Sequence, residues 1–89
     1  MASKVLYKAS VEKDLRKLPG KDAARVLNKL ERELRADPGA GEPLKGKFRG
    51  LRRLRVGDSR VIYARTTDGV LVLRISNRKD AYKGKPAGG

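Results

Sequence analysis

Seven lysines and arginines and a single acid lie within the twenty residues "LKGKFRGLRRLRVGDSRVIY", positions 44–63. Side chains two residues apart in a strand point to the same side, so Arg53 and Arg55 share one face of a predicted strand. A two-residue Gly-Asp turn then sets Arg55 opposite Arg60. Like charges in such a pair cost up to ~1 kcal/mol. The segment therefore predicts three crowded guanidinium groups, whose repulsion a bound polyanion would convert into attraction.

Two interpretations of these arginines remain open. They either extend separately into water, as long charged side chains do readily, or converge on phosphate groups. Arginine outnumbers lysine in the segment, and a planar guanidinium matches a pair of phosphate oxygens better than an ammonium group does. Arg78, near the end of the last predicted strand, is placed to join the cluster. We therefore favour a phosphate-binding face on the side of the sheet without helices.

The charge of the whole chain supports a polyanionic partner. The 89 residues carry 23 basic and 10 acidic side chains, with net +3 in residues 1–44 and net +10 in residues 45–89. Such asymmetry is typical of nucleic-acid-binding proteins, although a generally basic, heat-adapted protein without a polyanionic partner is an alternative. Four aromatic residues are too few for a base-stacking platform. The second predicted helix has balanced charge, unlike a helix that reads the DNA major groove.

The absence of cysteine and histidine limits the available chemistry. Disulfides and thiolate metal sites are excluded, and the commonest acid–base side chain is missing. RNA cleavage needs neither, because the ribose 2′-hydroxyl can attack the neighbouring phosphate once the backbone is aligned and the developing charge is stabilised. Proton transfer would then fall to Tyr82, Lys47 or Asp80. Tyr82 equally fits an aromatic anchor for the C-terminal segment or a group that stacks on a base.

Apolar periodicity predicts the elements that position these side chains. Alternation predicts strands over residues 4–9, 51–56, 59–66 and 70–76. The last strand is nearly continuous in apolar residues, which is typical of a strand buried on both faces. Helical spacing predicts a short helix after an N-cap at Ser10 and a second helix with a Leu-rich stripe over residues 21–36.

The order β-α-α-β-β-β predicts an α+β fold, with a mainly antiparallel four-stranded sheet and a two-helix hairpin packed on one face. Residues 39–43 are expected to form a loop. We expect one domain over residues 1–83 and a disordered tail over residues 84–89. No stretch approaches the ~20 apolar residues of a membrane span, and no signal-peptide pattern is visible, so we expect a cytoplasmic protein without a membrane partner.

Several motifs, in this order, resemble the RelE/ParE superfamily of bacterial and archaeal toxins. They are "LRKLP" (15–19), "ADPGAGEPLKGKFRGLRRLRVGDSRVIYA" (36–64) and "RKDAY" (78–82). The resemblance covers about residues 4–83, is nearest to the RelE-type branch and implies a RelE-like fold. Two positions differ from many relatives: Ser59 stands where they have the tyrosine of "GDYR", and Asn77 stands where they have a histidine.

The resemblance also implies an activity. RelE-type toxins are the toxin half of type II toxin–antitoxin systems, and they cut messenger RNA in the ribosomal A site without a metal or other cofactor. The implied partners are mRNA on the ribosome and a cognate antitoxin, and the free toxin is expected to be monomeric. The implied catalytic residues are Arg53, Arg55, Arg60, Arg78 and Tyr82, and contacts to RNA or the ribosome are assigned to Lys45, Lys47, Arg49, Arg52, Lys79 and Lys83.

Two alternatives to the nuclease remain open. ParE-type members of the same superfamily inhibit DNA gyrase and cut no RNA, so the fold by itself does not choose between the two targets. The second alternative is a nucleic-acid-binding module without toxicity.

Overall fold

The computed structural model describes residues 3–77, which contain two helices and five strands. The order confirms the predicted β-α-α-β-β-β pattern, with one additional short strand between the second helix and the strand predicted over residues 51–56. The predicted tail at residues 84–89 lies outside the described residues. The elements are β1 (Lys4–Tyr7), α1 (Val11–Arg16), α2 (Gly20–Ala36), β2 (Glu42–Pro43), a 3₁₀ turn (Gly46–Phe48), β3 (Leu51–Val56), β4 (Ser59–Arg65) and β5 (Gly69–Asn77).

The strands form one mainly antiparallel sheet in the order β1-β5-β4-β3-β2, with only β1 and β5 parallel. The prediction of four strands was one short, because Glu42 and Pro43 pair with Arg53 and Arg52 instead of forming a loop. Alternation cannot reveal a strand of two residues. Proline is tolerated there because β2 is an edge strand and needs no further ladder donor.

Both helices contact the sheet on one face, as predicted. The prediction that β5 is buried on both faces was wrong, since Leu71 and Leu73 are only half-buried and Arg74 is exposed. No second layer covers the other face within residues 3–77. The apolar core on the helix side consists of Val11, Leu18, Val26, Leu30, Leu34, Leu54, Val56, Val61, Tyr63, Val70, Val72 and Ile75.

The helix ends follow local backbone preferences. Ser10 precedes α1 as predicted, but its side chain makes no capping hydrogen bond. Its backbone is already helical, at φ −65° and ψ −17°, whereas a capping side chain requires an extended backbone. At the other end, Asp37 is extended at φ −149° because Pro38 disfavours a helical residue before it, and α2 stops there. Within the part of the chain that the structure describes, neither helix could cross a bilayer.

A buried tyrosine connects the sheet to the segment after α2. Tyr63 is fully buried, and its hydroxyl accepts a hydrogen bond from the backbone N–H of Gly41 at 2.9 Å. A Cβ atom at residue 41 would lie 2.7 Å from the Arg53 carbonyl oxygen and 2.9 Å from that hydroxyl. Only glycine therefore lets the chain approach β3 closely enough for β2 to pair with it.

Gly41→Ala is expected to lower the free energy of unfolding by about 1–3 kcal/mol, because the added methyl group overlaps the backbone of β3. Urea denaturation of the purified protein measures this change. Gly20→Ala is the matched control, since a Cβ at residue 20 meets nothing within 4 Å, and it should be neutral or slightly stabilising. Equal destabilisation by both substitutions would contradict the proposed close approach.

Candidate nucleic-acid interface

Four arginines lie together on the face of the sheet that the helices leave open. Arg55 pairs with Arg60, which in turn pairs with Ser76, and the next row is Arg53, Ile62 and Arg74. Directly paired residues project from the same face of a sheet, about 4.8 Å from strand to strand. We call Arg53, Arg55, Arg60 and Arg74 the arginine cluster. The predicted sharing of one face by Arg53, Arg55 and Arg60 is confirmed.

The hairpin turn sets this register. Gly57 and Asp58 form the predicted two-residue turn between β3 and β4, which are paired from Val56 with Ser59 outward. Gly57 has a φ of +59°, the left-handed conformation that tight hairpin turns require and that glycine adopts without strain. A shift of β4 by one residue relative to β3 would turn Arg60 to the face opposite Arg53 and Arg55.

Arg74 is a member of the cluster that sequence reasoning missed. Strict alternation from Val70 and Val72 would direct Arg74 toward the helices, but a bulge between Ile62 and Tyr63 of β4 and their partners shifts the phase of β5. The backbone N–H of Ile75, just after the bulge, donates to Asp14 Oδ2 at 3.0 Å. One signal was present in the sequence: an arginine inside an apolar run is seldom buried without a partner.

The four guanidinium groups are not equivalent. Arg53 forms a salt bridge with Glu42 of β2 at 3.2 Å, and only 28% of its side chain is exposed. Arg55, Arg60 and Arg74 have no acidic partner among residues 3–77. Three unpaired positive charges therefore face solvent together, while the fourth is held against the edge of the sheet.

The basic loop before β3 extends this positive surface. Lys45, Lys47 and Arg49 are all exposed around the 3₁₀ turn, and their contacts to an RNA backbone stay a prediction. Lys47 Nζ lies 5.7 Å from the centroid of the Phe48 ring, which is itself 52% exposed. A cation over a ring at this distance is a weak attraction that keeps both groups at the surface.

Among the described residues, Arg52 is a predicted site residue that lies outside the cluster. Arg52 pairs with Tyr63 and so projects from the helix side, where its guanidinium lies near Gly39 at the end of α2. Alternation explains this placement, because Arg52 and Arg53 are neighbours and must point to opposite faces. Arg78, Lys79, Tyr82 and Lys83 lie outside the described residues.

The open face also has an apolar end. Leu6, Leu71, Ala64 and Leu51 lie in one cross-strand row through β1, β5, β4 and β3. Leu6 is 56% exposed, and the other three are half-buried. We call these four residues the apolar row. The open face thus changes from apolar to strongly basic along the direction of its strands.

No group of metal-ligating side chains occurs within residues 3–77. The described part of the site offers positive charge and hydrogen-bond donors. This arrangement can bind phosphates and stabilise negative charge that develops during a reaction.

Comparison with known proteins shows that the chain is similar to toxins of toxin–antitoxin systems. A model of the ParE toxin family, toxins of the type II toxin–antitoxin system parDE, matches residues 5–82. A chain of the RelBE2 toxin–antitoxin complex from Mycobacterium tuberculosis is similar at 27% identity and a TM-score of 0.82, covering 88% of this chain and 100% of that one. A search among curated proteins found no match.

Two more distant structures share the fold. A chain of the RelB–RelE antitoxin–toxin complex from Methanococcus jannaschii is 23% identical with a TM-score of 0.66, covering 91% of this chain and 99% of that one. A mutant of the Escherichia coli toxin RelE in the free state is 20% identical with a TM-score of 0.68, and covers 91% of this chain and 88% of that one. The RelE-like α+β fold predicted from the sequence is confirmed.

The facing arginines of the hairpin should destabilise the isolated protein. A double-mutant cycle with Arg55→Thr, Arg60→Thr and the double variant should give an unfavourable coupling of up to about 1 kcal/mol in low salt. Urea denaturation at low ionic strength and at 1 M salt measures it, and the coupling should disappear at 1 M because the charges are screened. A favourable coupling, or a coupling that does not change with salt concentration, would contradict the repulsion between Arg55 and Arg60.

Proposed function

The chain belongs to the ParE toxin family of type II toxin–antitoxin systems, and from that premise we propose that it is a metal-independent endonuclease that cuts messenger RNA in the ribosomal A site. The observation that carries this proposal is the arginine cluster, in which Arg55, Arg60 and Arg74 converge on the open face without an acidic partner in residues 3–77. The ribosome as target implies that the toxin acts in the cytoplasm.

The proposed reaction is an internal transesterification of RNA. The ribose 2′-oxygen loses its proton and forms a bond to phosphorus, while the bond from phosphorus to the 5′-oxygen of the next nucleotide breaks and that oxygen gains a proton. Negative charge accumulates on the phosphate in the transition state. Fixed positive groups stabilise that charge most effectively, because they need no reorganisation during the reaction.

The residues take different parts in this reaction. Arg60 and Arg78 would hold the scissile phosphate, and Arg53 and Arg55 the flanking ones. Arg74 adds a fourth donor on the described face, in the row next to that of Arg60. Tyr82 would stack on a base or take part in proton transfer. The exposed loop cations, Lys45, Lys47 and Arg49, would hold RNA or ribosomal backbone.

A gyrase-directed toxin is the second candidate, and the family description favours it, since the matching model is that of ParE toxins. Such a toxin would bind its target without cutting RNA. The apolar row would then serve a protein–protein contact, since clustered apolar side chains mark such surfaces. The high density of unpaired arginine supports RNA more directly, because three adjacent guanidiniums fit consecutive phosphates.

The same open face is the proposed binding site of a cognate antitoxin. Its two ends require a partner segment with apolar side chains for the apolar row and carboxylates for the arginine cluster. Such a segment would neutralise the charges that the proposed reaction uses. The similar chains in the Mycobacterium tuberculosis and Methanococcus jannaschii complexes are themselves found with antitoxins, which supports a partner of this kind.

Mapping of transcript ends in growing cells tests the activity. Expression of the wild-type chain should arrest growth and produce cuts within translated messages. Arg55→Ala, Arg60→Ala and Arg74→Ala should each reduce cutting by about 10²-fold, a typical loss when one stabilising donor is removed. Arg16→Ala is the matched control, because Arg16 is 72% exposed on α1 and pairs with Glu12 at 2.7 Å, away from the cluster.

The outcomes distinguish the candidates. Intact messages together with blocked DNA supercoiling would replace the nuclease by the gyrase inhibitor. Normal growth on expression without the antitoxin would exclude both toxins and favour the nucleic-acid-binding module without toxicity.

Titration with the protein encoded by the adjacent gene tests the antitoxin site. Leu6→Ser should weaken binding at least about tenfold, because burial of a leucine side chain contributes about 1.5–3 kcal/mol. Phe48→Ser is the control, since Phe48 is equally exposed but lies outside the apolar row. Binding should also weaken as salt is raised. Equal effects of the two substitutions, or binding that is indifferent to salt, would exclude the open face.

A further inference from the structure

A cavity of about 350 Å³ lies beside the β3–β4 turn on the helix side of the sheet. Its apolar walls come from Pro19 before α2, Val26 within α2 and Val56 at the end of β3. The volume falls in the range of roughly 300–1,000 Å³ that is typical of small-ligand sites. No residue of the proposed arginine cluster lines it, so it is a separate feature of the molecule.

Ser59 is the polar group that sets this cavity apart. The residue as a whole is only 3% exposed, and it lines the cavity. A ligand in the cavity would lie next to this side chain, whose hydroxyl can both donate and accept a hydrogen bond.

The charged groups around the cavity define the chemistry of that ligand. Lys17 and Arg25 provide donors, and Asp22 and Asp58 provide acceptors, so the formal charges cancel. A simple anion would meet two carboxylates and is disfavoured. A neutral, flat ring with both donors and acceptors on its edge fits the apolar walls and the mixed polar groups together, and a nucleobase has this character.

The cavity and the phosphate-binding face lie on either side of the β3–β4 turn. Gly57, Asp58 and Ser59 line the cavity, and the same three residues line a smaller notch of about 50 Å³ with Arg55 and Arg60. A nucleotide whose phosphate occupies the arginine notch would therefore have its base next to the turn, on the side where the cavity opens.

We propose that this cavity receives one nucleobase of the bound RNA and gives the toxin a base preference. The inference rests on the proposed function, because it assumes that the arginine cluster holds the RNA backbone. The cavity adds base recognition to a face that otherwise reads only phosphate, since phosphate contacts position a nucleic acid and base contacts specify its sequence.

Binding of small probes tests the cavity without requiring cleavage. The wild-type protein is titrated with the 5′-monophosphates of adenosine, cytidine, guanosine and uridine, and with ribose 5-phosphate, which has the phosphate but no base. One nucleotide should bind about tenfold more tightly than ribose 5-phosphate. Ser59→Tyr, which fills the cavity, should reduce the affinity of that nucleotide to the affinity of ribose 5-phosphate measured on the same variant, a comparison that is needed because Ser59 also lines the arginine notch.

Two further variants keep the test independent of folding. Asp22→Asn removes an acceptor without filling the cavity and should change the order of preference among the four nucleotides. Thr67→Tyr, in the exposed turn between β4 and β5, should alter nothing. Arg60→Ala should weaken nucleotides and ribose 5-phosphate alike, which separates the phosphate site from the base site.

The outcomes separate this inference from the proposed function. Equal affinity of all five probes, or a preference that survives both Ser59→Tyr and Asp22→Asn, would overturn the base site. Loss of antitoxin binding in Ser59→Tyr with nucleotide binding unchanged would overturn it as well and assign the cavity to the protein partner. If the protein binds one nucleotide selectively but cuts no messenger RNA, the base site is supported and the proposed nuclease activity is wrong.

Discussion

The pairing of β3 with β4 is the constraint on which the rest of the structure depends. Its register places Leu54 opposite Val61 against the helices, and Arg55 opposite Arg60 on the other face. Because side chains alternate along a strand, the same hydrogen bonds that build the core also bring like charges together. Core formation and charge crowding are consequently inseparable in this hairpin, and the unfavourable repulsion is offset by the burial of the apolar side chains.

The supporting contacts all maintain this arrangement. Gly41 permits β2 to approach β3, and the Tyr63 hydroxyl accepts its N–H. Glu42 of β2 then holds Arg53 at the edge of the sheet. On the far side of the sheet, the Tyr7 hydroxyl donates to Glu31 and joins β1 to α2, and burial together with this contact raises the pKa of Tyr7. The open face is thus positioned by a rigid framework, while Arg55, Arg60 and Arg74 have no acidic partner among residues 3–77.

Membership in a toxin family does not by itself choose between targets, because one fold supports different activities through different surfaces. The open face of this chain combines two chemistries that such targets use. Its basic end suits a phosphate backbone, and its apolar row suits a protein. A partner that covers both ends would suppress both kinds of activity, which explains physically why one antitoxin could inhibit a toxin of this shape whatever its target.

Local patterns in the sequence were sufficient for most of the fold. Alternation over residues 51–56 and 59–66 and the Gly-Asp turn between them determine the hairpin, so Arg53, Arg55 and Arg60 could be placed together without a structure. The helix boundaries near Pro19 and Asp37 were equally readable, because proline acts on its immediate neighbours. The toxin family could also be identified from the motifs of residues 15–19, 36–64 and 78–82.

Other features were decided only by tertiary structure. Arg74 joins the cluster because a bulge changes the phase of β5, and the Ile75 N–H beside that bulge bonds to Asp14, 61 residues earlier in the chain. The edge strand at Glu42–Pro43 and the cavity beside Ser59 likewise depend on contacts between distant segments. The neighbouring residues in the sequence show how side chains alternate between the two faces of a strand. They contain no information about which distant backbone segment will pair with that strand, and this pairing determines where these side chains point.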